Sequence, residues 1–205
     1  MIYLAALAVF SGLSLNLLLL FALGAAGAAS DVSSRDRLSL NRLPVSQFGI
    51  LFLSVLFLWL VFSHVLPPNW KGFSEYFLFF PFSALTCAGF EFLGGRIYHR
   101  ATGKPEGIRK VFSAITAYEG LVPVSLFITL SLAVNLAEAA TLALFFSLGN
   151  MTAMLILNEI RRRAALEKVP RFLRGSPLIL LSMGLLSLIF GAAAGICFKI
   201  LEVMQ

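Results

Sequence analysis

The chain has 205 residues, of which 59% are hydrophobic and only 13% are charged. Soluble domains carry about 25% charged residues, so this composition excludes an ordinary soluble domain and predicts an integral membrane protein. The net charge of +6 would suit a nucleic-acid partner. Its concentration in three loops, described below, indicates membrane topology instead, and we expect no nucleic-acid binding.

Six apolar runs follow one another along the chain, each near or above the length of about 20 residues that a membrane-spanning helix needs. They cover residues 2–29, 45–65, 73–93, 111–134, 136–157 and 177–201. We therefore expect a single all-α membrane domain over residues 1–205, with halves at about 1–95 and 105–205. The first run lacks a preceding basic segment and is too long for a signal peptide, so we count it as a span.

The first run carries Asn16 in its middle and ends in small residues, including Gly24, Ala26 and Gly27. A polar amide at that depth should face the bundle, where it finds a hydrogen-bond partner. It could serve helix association alone or belong to a site. The small residues predict an interruption of the first helix.

The third run holds Cys87 and Glu91 and is expected to end at Gly94 and Gly95. The second cysteine of the chain, Cys197, lies in the last run. The two cysteines have no metal-ligand spacing, and we interpret both as small buried hydrophobic residues.

The fourth run contains Glu119 beside Gly120, with Pro123 shortly after. Interrupted backbone within a membrane is tolerated only where protein or a water-lined cavity covers it. An ionisable residue at that depth is a functional candidate. We therefore expect the fourth helix to be interrupted near the midplane, with Asn135 and Glu138 marking the start of the fifth.

The loops after the first, third and fifth runs hold 14 of the 16 Lys and Arg residues. The positive-inside rule makes that face cytoplasmic and places both termini outside. The last of these loops contributes a basic face whose principal members are Arg161, Arg162, Arg163, Arg171 and Arg174. It serves topology, or docks a cytoplasmic partner or anionic lipid.

An odd number of spans per half makes the two halves enter the membrane from opposite sides. If the halves are related, they form an inverted repeat in which the first and fourth runs correspond. Two weakened segments at corresponding positions point to a site at the midplane.

Several motifs in the chain resemble a known family. The order and spacing of Ile160–Arg163, Val169 and Pro170, Arg174 and Gly175, and Met183–Leu188 carry the resemblance, together with Gly149. Weaker matches are Asn16 with Leu23 and Gly24, then Glu91, and Ile115 with Thr116. The chain resembles the membrane subunits of the Rnf and Na⁺-translocating NADH–quinone oxidoreductase (Nqr) complexes, of the RnfA/NqrE type.

The resemblance implies six spans in two inverted halves, in the bacterial inner membrane. It also implies a two-iron, two-sulfur cluster shared with a homologous membrane subunit, each subunit giving one cysteine from its broken first helix and one from its fourth. At the ligand positions this chain has Ala26 and Glu119, and it has Tyr118 where the family usually has asparagine. Thiolates are the rule for such clusters, so we expect no cofactor bound by this chain alone.

The expected midplane site comprises Glu119 with Tyr118, Thr116 and Asn16 nearby, and Glu91 as a further candidate. This set resembles a proton or cation relay more than an electron relay. Glu119 could alternatively hydrogen-bond exposed backbone at the helix interruption, or contact a substrate.

Three functions remain open at this point. The first is a membrane subunit of an Rnf/Nqr-like complex, with homologous membrane subunits as partners. The second is a non-redox transporter of an ion or small solute, working as a homodimer. The third is an accessory assembly protein. No soluble-enzyme motif is present, so the chain is at most a non-catalytic subunit of a translocase.

Overall fold

A computed structural model of the chain describes residues 2–21, 43–65, 73–102, 120–166 and 176–203. These ranges are helical apart from short connections. The helices, in chain order, are α1 (Ile2–Val9), α2 (Leu17–Phe21), α3 (Leu43–Leu60), α4 (Phe73–Thr102), α5 (Leu121–Leu132), α6 (Leu136–Leu166) and α7 (Ser176–Val203). A π-helical segment, Phe10–Ser14, continues α1, and another, Val61–Val65, continues α3.

Within the described ranges, three helical segments are long and apolar enough to cross a membrane. They are Tyr3–Phe21, Leu136–Ala164 and Pro177–Val203. Three further apolar segments are shorter: Phe48–His64, Phe77–Phe90 and Leu121–Leu132. The prediction of an apolar, all-helical chain therefore holds for the part of the chain that is described.

Helix α6 lies at the centre of the bundle. It packs most extensively against α3 and also contacts α1, the Phe10–Ser14 segment, α2, α5 and α7. Helix α4 lies to one side, against α3 and α5, and α7 lies against the interrupted first helix and α6. This arrangement puts the middle of α6 beside the interruption of the first helix.

Two hydrophobic clusters fill the bundle. The larger joins α3, α5 and the first half of α6, with residues such as Val55, Leu126 and Ala143 entirely buried. The smaller joins α2, the second half of α6 and α7, around Leu18 and Ala153. The polar residues described next lie between these two clusters along α6.

Helix α4 does not end where the sequence predicted. It runs through Gly94 and Gly95 to Thr102. Glycine lowers helix propensity by about 1 kcal/mol relative to alanine but does not terminate a helix by itself. The apolar part of the helix does end before Gly94, at Phe90, and the helix continues beyond it as a more polar segment.

The connection between α5 and α6 is three residues long and is held by Glu138. Its carboxylate oxygen Oε2 accepts hydrogen bonds from the backbone N–H groups of Val134 at 2.9 Å and Asn135 at 3.4 Å. These are the donors that a capping glutamate satisfies at a helix N-terminus. The predicted start of the fifth helix, and the role of Glu138 as its cap, are confirmed.

Candidate interruption site in the first helix

The first helix is interrupted at Leu15 and Asn16. The π-helical segment Phe10–Ser14 ends with the N–H of Leu15 donating to the carbonyl oxygen of Phe10 at 2.7 Å. Leu15 itself has φ −105° and ψ 50°, which is outside the helical region. A π-helical turn contains one residue more than an α-turn, and such turns are frequent at functional sites.

Asn16 starts the second part of the helix. Its side-chain oxygen Oδ1 accepts from the N–H of Leu19 at 3.4 Å, and its backbone oxygen accepts from the N–H of Leu20 at 2.9 Å. Asparagine is among the preferred residues at this capping position because its side chain satisfies a free N–H of the first turn. One side chain therefore both ends the interruption and begins α2.

The other end of the Asn16 amide joins the first helix to α6. Its Nδ2 donates to the carbonyl oxygen of Gly149 at 2.8 Å, across 133 residues of sequence. Asn16 is only 3% exposed, so this bond is shielded from water. The prediction that Asn16 faces the bundle and finds a partner there is confirmed.

Glycine at position 149 permits this contact. A Cβ atom at Gly149 would lie 2.5 Å from the carbonyl oxygen of Gly12, which is closer than real Cβ atoms approach. Gly12 in turn lies against Phe145 of α6. A Cβ atom at Gly12 would lie 3.4 Å from the ring of Phe145 and 3.4 Å from the carbonyl oxygen of Phe145. The two main chains touch because neither carries a side chain at the crossing point, a common feature of close helix packing in membranes.

Asn150, the next residue on α6, has a buried side-chain oxygen for which the described residues supply no partner. The residue is 6% exposed, and no group in the described part of the chain donates to its Oδ1. Asn150 also lies at the middle of the apolar segment Leu136–Ala164. A buried polar atom without a partner costs roughly 1–3 kcal/mol, so its retention in a structure calls for an explanation.

Helix α5 begins immediately after Gly120, whose φ of 88° lies in the left-handed region that favours glycine. Pro123 is in the first turn of α5, where its missing N–H removes no helical hydrogen bond. Ser125 and Thr129 bond to carbonyl oxygens one turn earlier in their own helix, both at 2.7 Å. Whether the fourth span is interrupted before Gly120 stays a prediction, because residues 103–119 lie outside the described ranges.

Most of the predicted midplane residues fall outside the described part of the chain. Thr116, Tyr118 and Glu119 are among them. The residues predicted to interrupt the first helix, Gly24, Ala26 and Gly27, also lie outside the described ranges. Glu91 lies within α4, but its side chain is not described. Asn16 is the one member of the predicted midplane site whose surroundings are known, and its partners are Gly149 and Leu19.

The predicted basic face is described only in part. Arg162 and Arg163 are exposed at the end of α6 and pair with Glu159, at 3.7 Å and 3.1 Å. Such exposed pairs one helical turn apart contribute about 0.3–0.5 kcal/mol. Arg161 lies on the same helix without a described side chain, and Arg171 and Arg174 lie outside the described ranges.

The two cysteines differ. Cys87 is buried and its Sγ lies 3.7 Å from the Oγ of Ser54, whereas Cys197 is only partly buried. The prediction that both are buried is thus right for Cys87 and too strong for Cys197. Among the described residues, no group of three or more His, Cys, Asp or Glu side chains could hold a metal ion.

Sequence reasoning missed three features of this region: the interruption at Leu15, the close approach of Gly12 to Gly149, and the unpartnered oxygen of Asn150. Asn150 was visible as a polar residue in an apolar run. The pairing of two glycines far apart in sequence had no local signal, because a contact between distant segments is set by tertiary packing.

No protein-family model matches the chain, and a search of curated proteins finds no match either.

Proposed function

We propose that the chain is an integral membrane protein of two inverted three-helix halves. We further propose that it is a membrane subunit of an ion-translocating electron transport complex similar to Rnf and Nqr, without iron–sulfur ligands of its own. The observation that carries this proposal is the hydrogen bond from Asn16 to Gly149. Both are residues on which the resemblance rests, and they meet at the interruption of the first helix.

A third residue from the resemblance supports the same view. Met183, which begins the matching segment in α7, is buried in one cluster with Leu18 and Leu19 of α2. Residues chosen by their similarity to one family thus lie around a single junction of the first, fifth and sixth spans. Such clustering is expected if the similarity reflects a shared scaffold.

The outer surface supports a location in lipid. Helix α7 exposes a continuous series of large apolar side chains. They include Leu180, Leu181, Leu185, Leu188, Ile189, Ile196 and Ile200. Contiguous apolar patches of this kind are rare on soluble monomers and mark a surface that meets lipid or another protein.

The packing of the helices is consistent with an inverted repeat. If α1 and α2 are exchanged with α5, α3 with α6, and α4 with α7, most contacts map onto other observed contacts. For example, α5 packs on α3 and α4, just as the first helix packs on α6 and α7. The contact of α5 with α6 is the exception.

The role proposed for the chain follows from the residues at the two positions where the family has its iron–sulfur cysteines. Alanine at position 26 has no donor atom, and the carboxylate of Glu119 is a hard ligand poorly suited to a cluster that thiolates hold. We therefore propose that electrons pass through partner subunits while this chain contributes scaffold and a carboxylate. In this proposal the chain lies in the bacterial inner membrane with its basic loops in the cytoplasm.

Purification with native partners tests this proposal. An affinity-tagged chain is extracted from its native membrane in mild detergent, and the co-purifying proteins are identified by mass spectrometry. We expect homologous membrane subunits and a flavin-bearing subunit, with iron in the assembled complex. Recovery of this chain alone, from several detergents and without a flavin-bearing protein, would contradict the proposal.

A second candidate is a non-redox transporter built on the same scaffold. The interrupted first helix and the unpartnered oxygen of Asn150, both near the middle of apolar segments, favour it. Interrupted spans that expose polar backbone at mid-membrane are characteristic of transporter binding sites.

Reconstitution distinguishes the second candidate from the first. The purified chain is placed in liposomes, and the uptake of ions and small solutes is measured. Wild type is compared with Glu119→Gln and with the matched control Glu138→Gln. A transporter that uses Glu119 loses uptake in Glu119→Gln only, since Glu138 serves as a helix cap. Equal uptake by empty liposomes and by all three proteins would exclude this candidate.

A further inference from the structure

The outer face of α7 carries small residues. Of the three described segments that are long enough to cross a membrane, the one in α7 is the least buried: 28% of its apolar window is buried, against 44% and 50% for the others. Gly191, Ala192 and Gly195 are all exposed on this face. The interrupted first helix and α6 pack against the opposite side of α7. The small residues therefore point away from the described bundle.

The two glycines of this face have no packing role within the described part of the chain. A Cβ atom at Gly191 or Gly195 would meet nothing within 4 Å. At Gly149, by contrast, a Cβ atom would strike the backbone of the helix that crosses there. A glycine lowers helix propensity by about 1 kcal/mol relative to alanine. Two glycines four residues apart in an apolar helix have the spacing at which membrane helices approach each other closely.

Two charged residues continue the same face toward the end of α7. Lys199 lies four residues after Gly195, and Glu202 lies three residues after Lys199. Residues at these spacings share one side of a helix. Both side chains are exposed, and neither forms an ion pair with another described residue. The face thus carries one charge of each sign beside its small residues.

These features are complementary to a second copy of the same face. Copies of one chain insert into a membrane in the same orientation, so two α7 helices would meet in parallel about a two-fold axis. In such an interface each contact is made twice, once in each direction. Lys199 then faces Glu202 of the partner subunit, and Glu202 faces Lys199 of the partner subunit. Lipid alone would supply neither this pairing nor a backbone for the glycines to approach.

We propose that two copies of the chain associate through α7, with their Gly191–Gly195 segments crossing and Lys199 paired with Glu202 of the partner subunit. The interface lies on the side of α7 opposite the first helix and α6, so it leaves the junction of those helices intact. It goes beyond the proposed electron-transport role and does not depend on it, because it needs no other subunit.

Association in liposomes tests the interface. The full-length chain is labelled at Val134→Cys, an exposed position, in a background in which Cys87 and Cys197 are replaced. Donor-labelled and acceptor-labelled chains are mixed at a series of protein-to-lipid ratios, and energy transfer is measured. We expect transfer that saturates at one partner per chain. Transfer no greater than random mixing gives, at every ratio, would overturn the proposal and assign this face to lipid.

The variants Gly191→Leu and Gly89→Leu assign the association to α7. Gly89 is the matched control on α4, because an added Cβ meets nothing within 4 Å at either glycine and both variants should fold as the wild type does. We expect Gly191→Leu to raise the protein-to-lipid ratio at half-association by about tenfold or more, since its side chain blocks the close approach. Gly89→Leu should leave that ratio unchanged. The same ratio for both variants would overturn the proposal.

An exchange of the two charges tests the pairing without altering the glycines. Lys199→Glu replaces both proposed ion pairs with repulsion and should raise the ratio at half-association by about threefold or more. The double variant Lys199→Glu with Glu202→Lys restores both pairs in reverse and should return the ratio to within about twofold of wild type. A double variant that associates no better than Lys199→Glu alone would overturn the proposed parallel arrangement.

Discussion

Replacing Gly149 with alanine should separate the first helix from α6. The added Cβ would lie 2.5 Å from the carbonyl oxygen of Gly12, whereas real Cβ atoms essentially never approach below 3.0 Å. The obstacle is backbone, so no side-chain rotation relieves it. The two helices must move apart by at least about 0.5 Å at this point.

The energetic cost follows from two effects. Overpacking of this kind destabilises by roughly 1–3 kcal/mol. Separation also stretches the 2.8 Å bond between Asn16 and Gly149, and losing such a bond costs about 0.5–1.5 kcal/mol. Alanine has a higher helix propensity than glycine, which offsets about 1 kcal/mol of this destabilisation. We expect the free energy of unfolding to fall by about 1–3 kcal/mol.

Thermal unfolding of the purified chain in detergent measures this cost. For a protein of this size, each 1 kcal/mol corresponds to about 2–4 °C in Tm, so Gly149→Ala should lower Tm by roughly 2–12 °C. Gly12→Ala should have a smaller effect because its Cβ would meet Phe145 at 3.4 Å. Gly184→Ala, which meets nothing within 4 Å, is the control. Equal Tm values for Gly149→Ala and Gly184→Ala would refute the predicted close approach.

Three further predictions concern the cap, the helix connection and the topology. Asn16→Leu should lower the free energy of unfolding by about 1–3 kcal/mol, because it leaves the N–H of Leu19 without a cap and removes the bond to Gly149; an unchanged Tm would show that neither bond matters. Glu138→Ala should lower the free energy of unfolding by about 0.5–2 kcal/mol, because the helix loses its cap. Glu138→Gln keeps an acceptor oxygen and should lower the free energy of unfolding by less. Equal losses in the two variants would argue against capping. Topology is tested with single cysteines in a cysteine-free background and a membrane-impermeant maleimide added to intact cells. Cysteines in the loops that follow the first, third and fifth spans should not react. A cysteine in place of the exposed Val134 should react. Labelling of the basic loops from outside would reverse the proposed orientation.

The helical, apolar character of the chain was readable from composition, because lipid removes the need for alternating polar faces and leaves long apolar runs. Helix ends were less accessible. Gly94 and Gly95 weaken a helix but α4 continues through them, and α6 extends to Leu166 as a charged helix beyond its apolar part. Apolarity marks the portion suited to lipid, whereas hydrogen bonding decides where a helix stops.

Within the candidate site, Asn16 could be predicted because a polar amide in an apolar run needs a partner inside the bundle. The identity of that partner could not, since Gly149 is 133 residues away. The π-helical turn before Leu15 was also beyond prediction, because it depends on how the first helix meets α6. Local sequence indicates which residues need partners, and packing decides which partners they obtain.

The π-helical turn at Phe10–Ser14 has a consequence for how this region can change by insertion or deletion. One residue occupies about 100° of an α-helix. Deleting a single residue from an α-helix therefore rotates every side chain after it by that angle. Deleting one from this wider turn instead converts it into an α-turn and leaves the side chains after it on the same faces. The hydrogen bond from the Asn16 carboxamide to α6 should therefore survive the loss of one residue from Phe10–Ser14, so this segment tolerates a change in length that a regular helix does not.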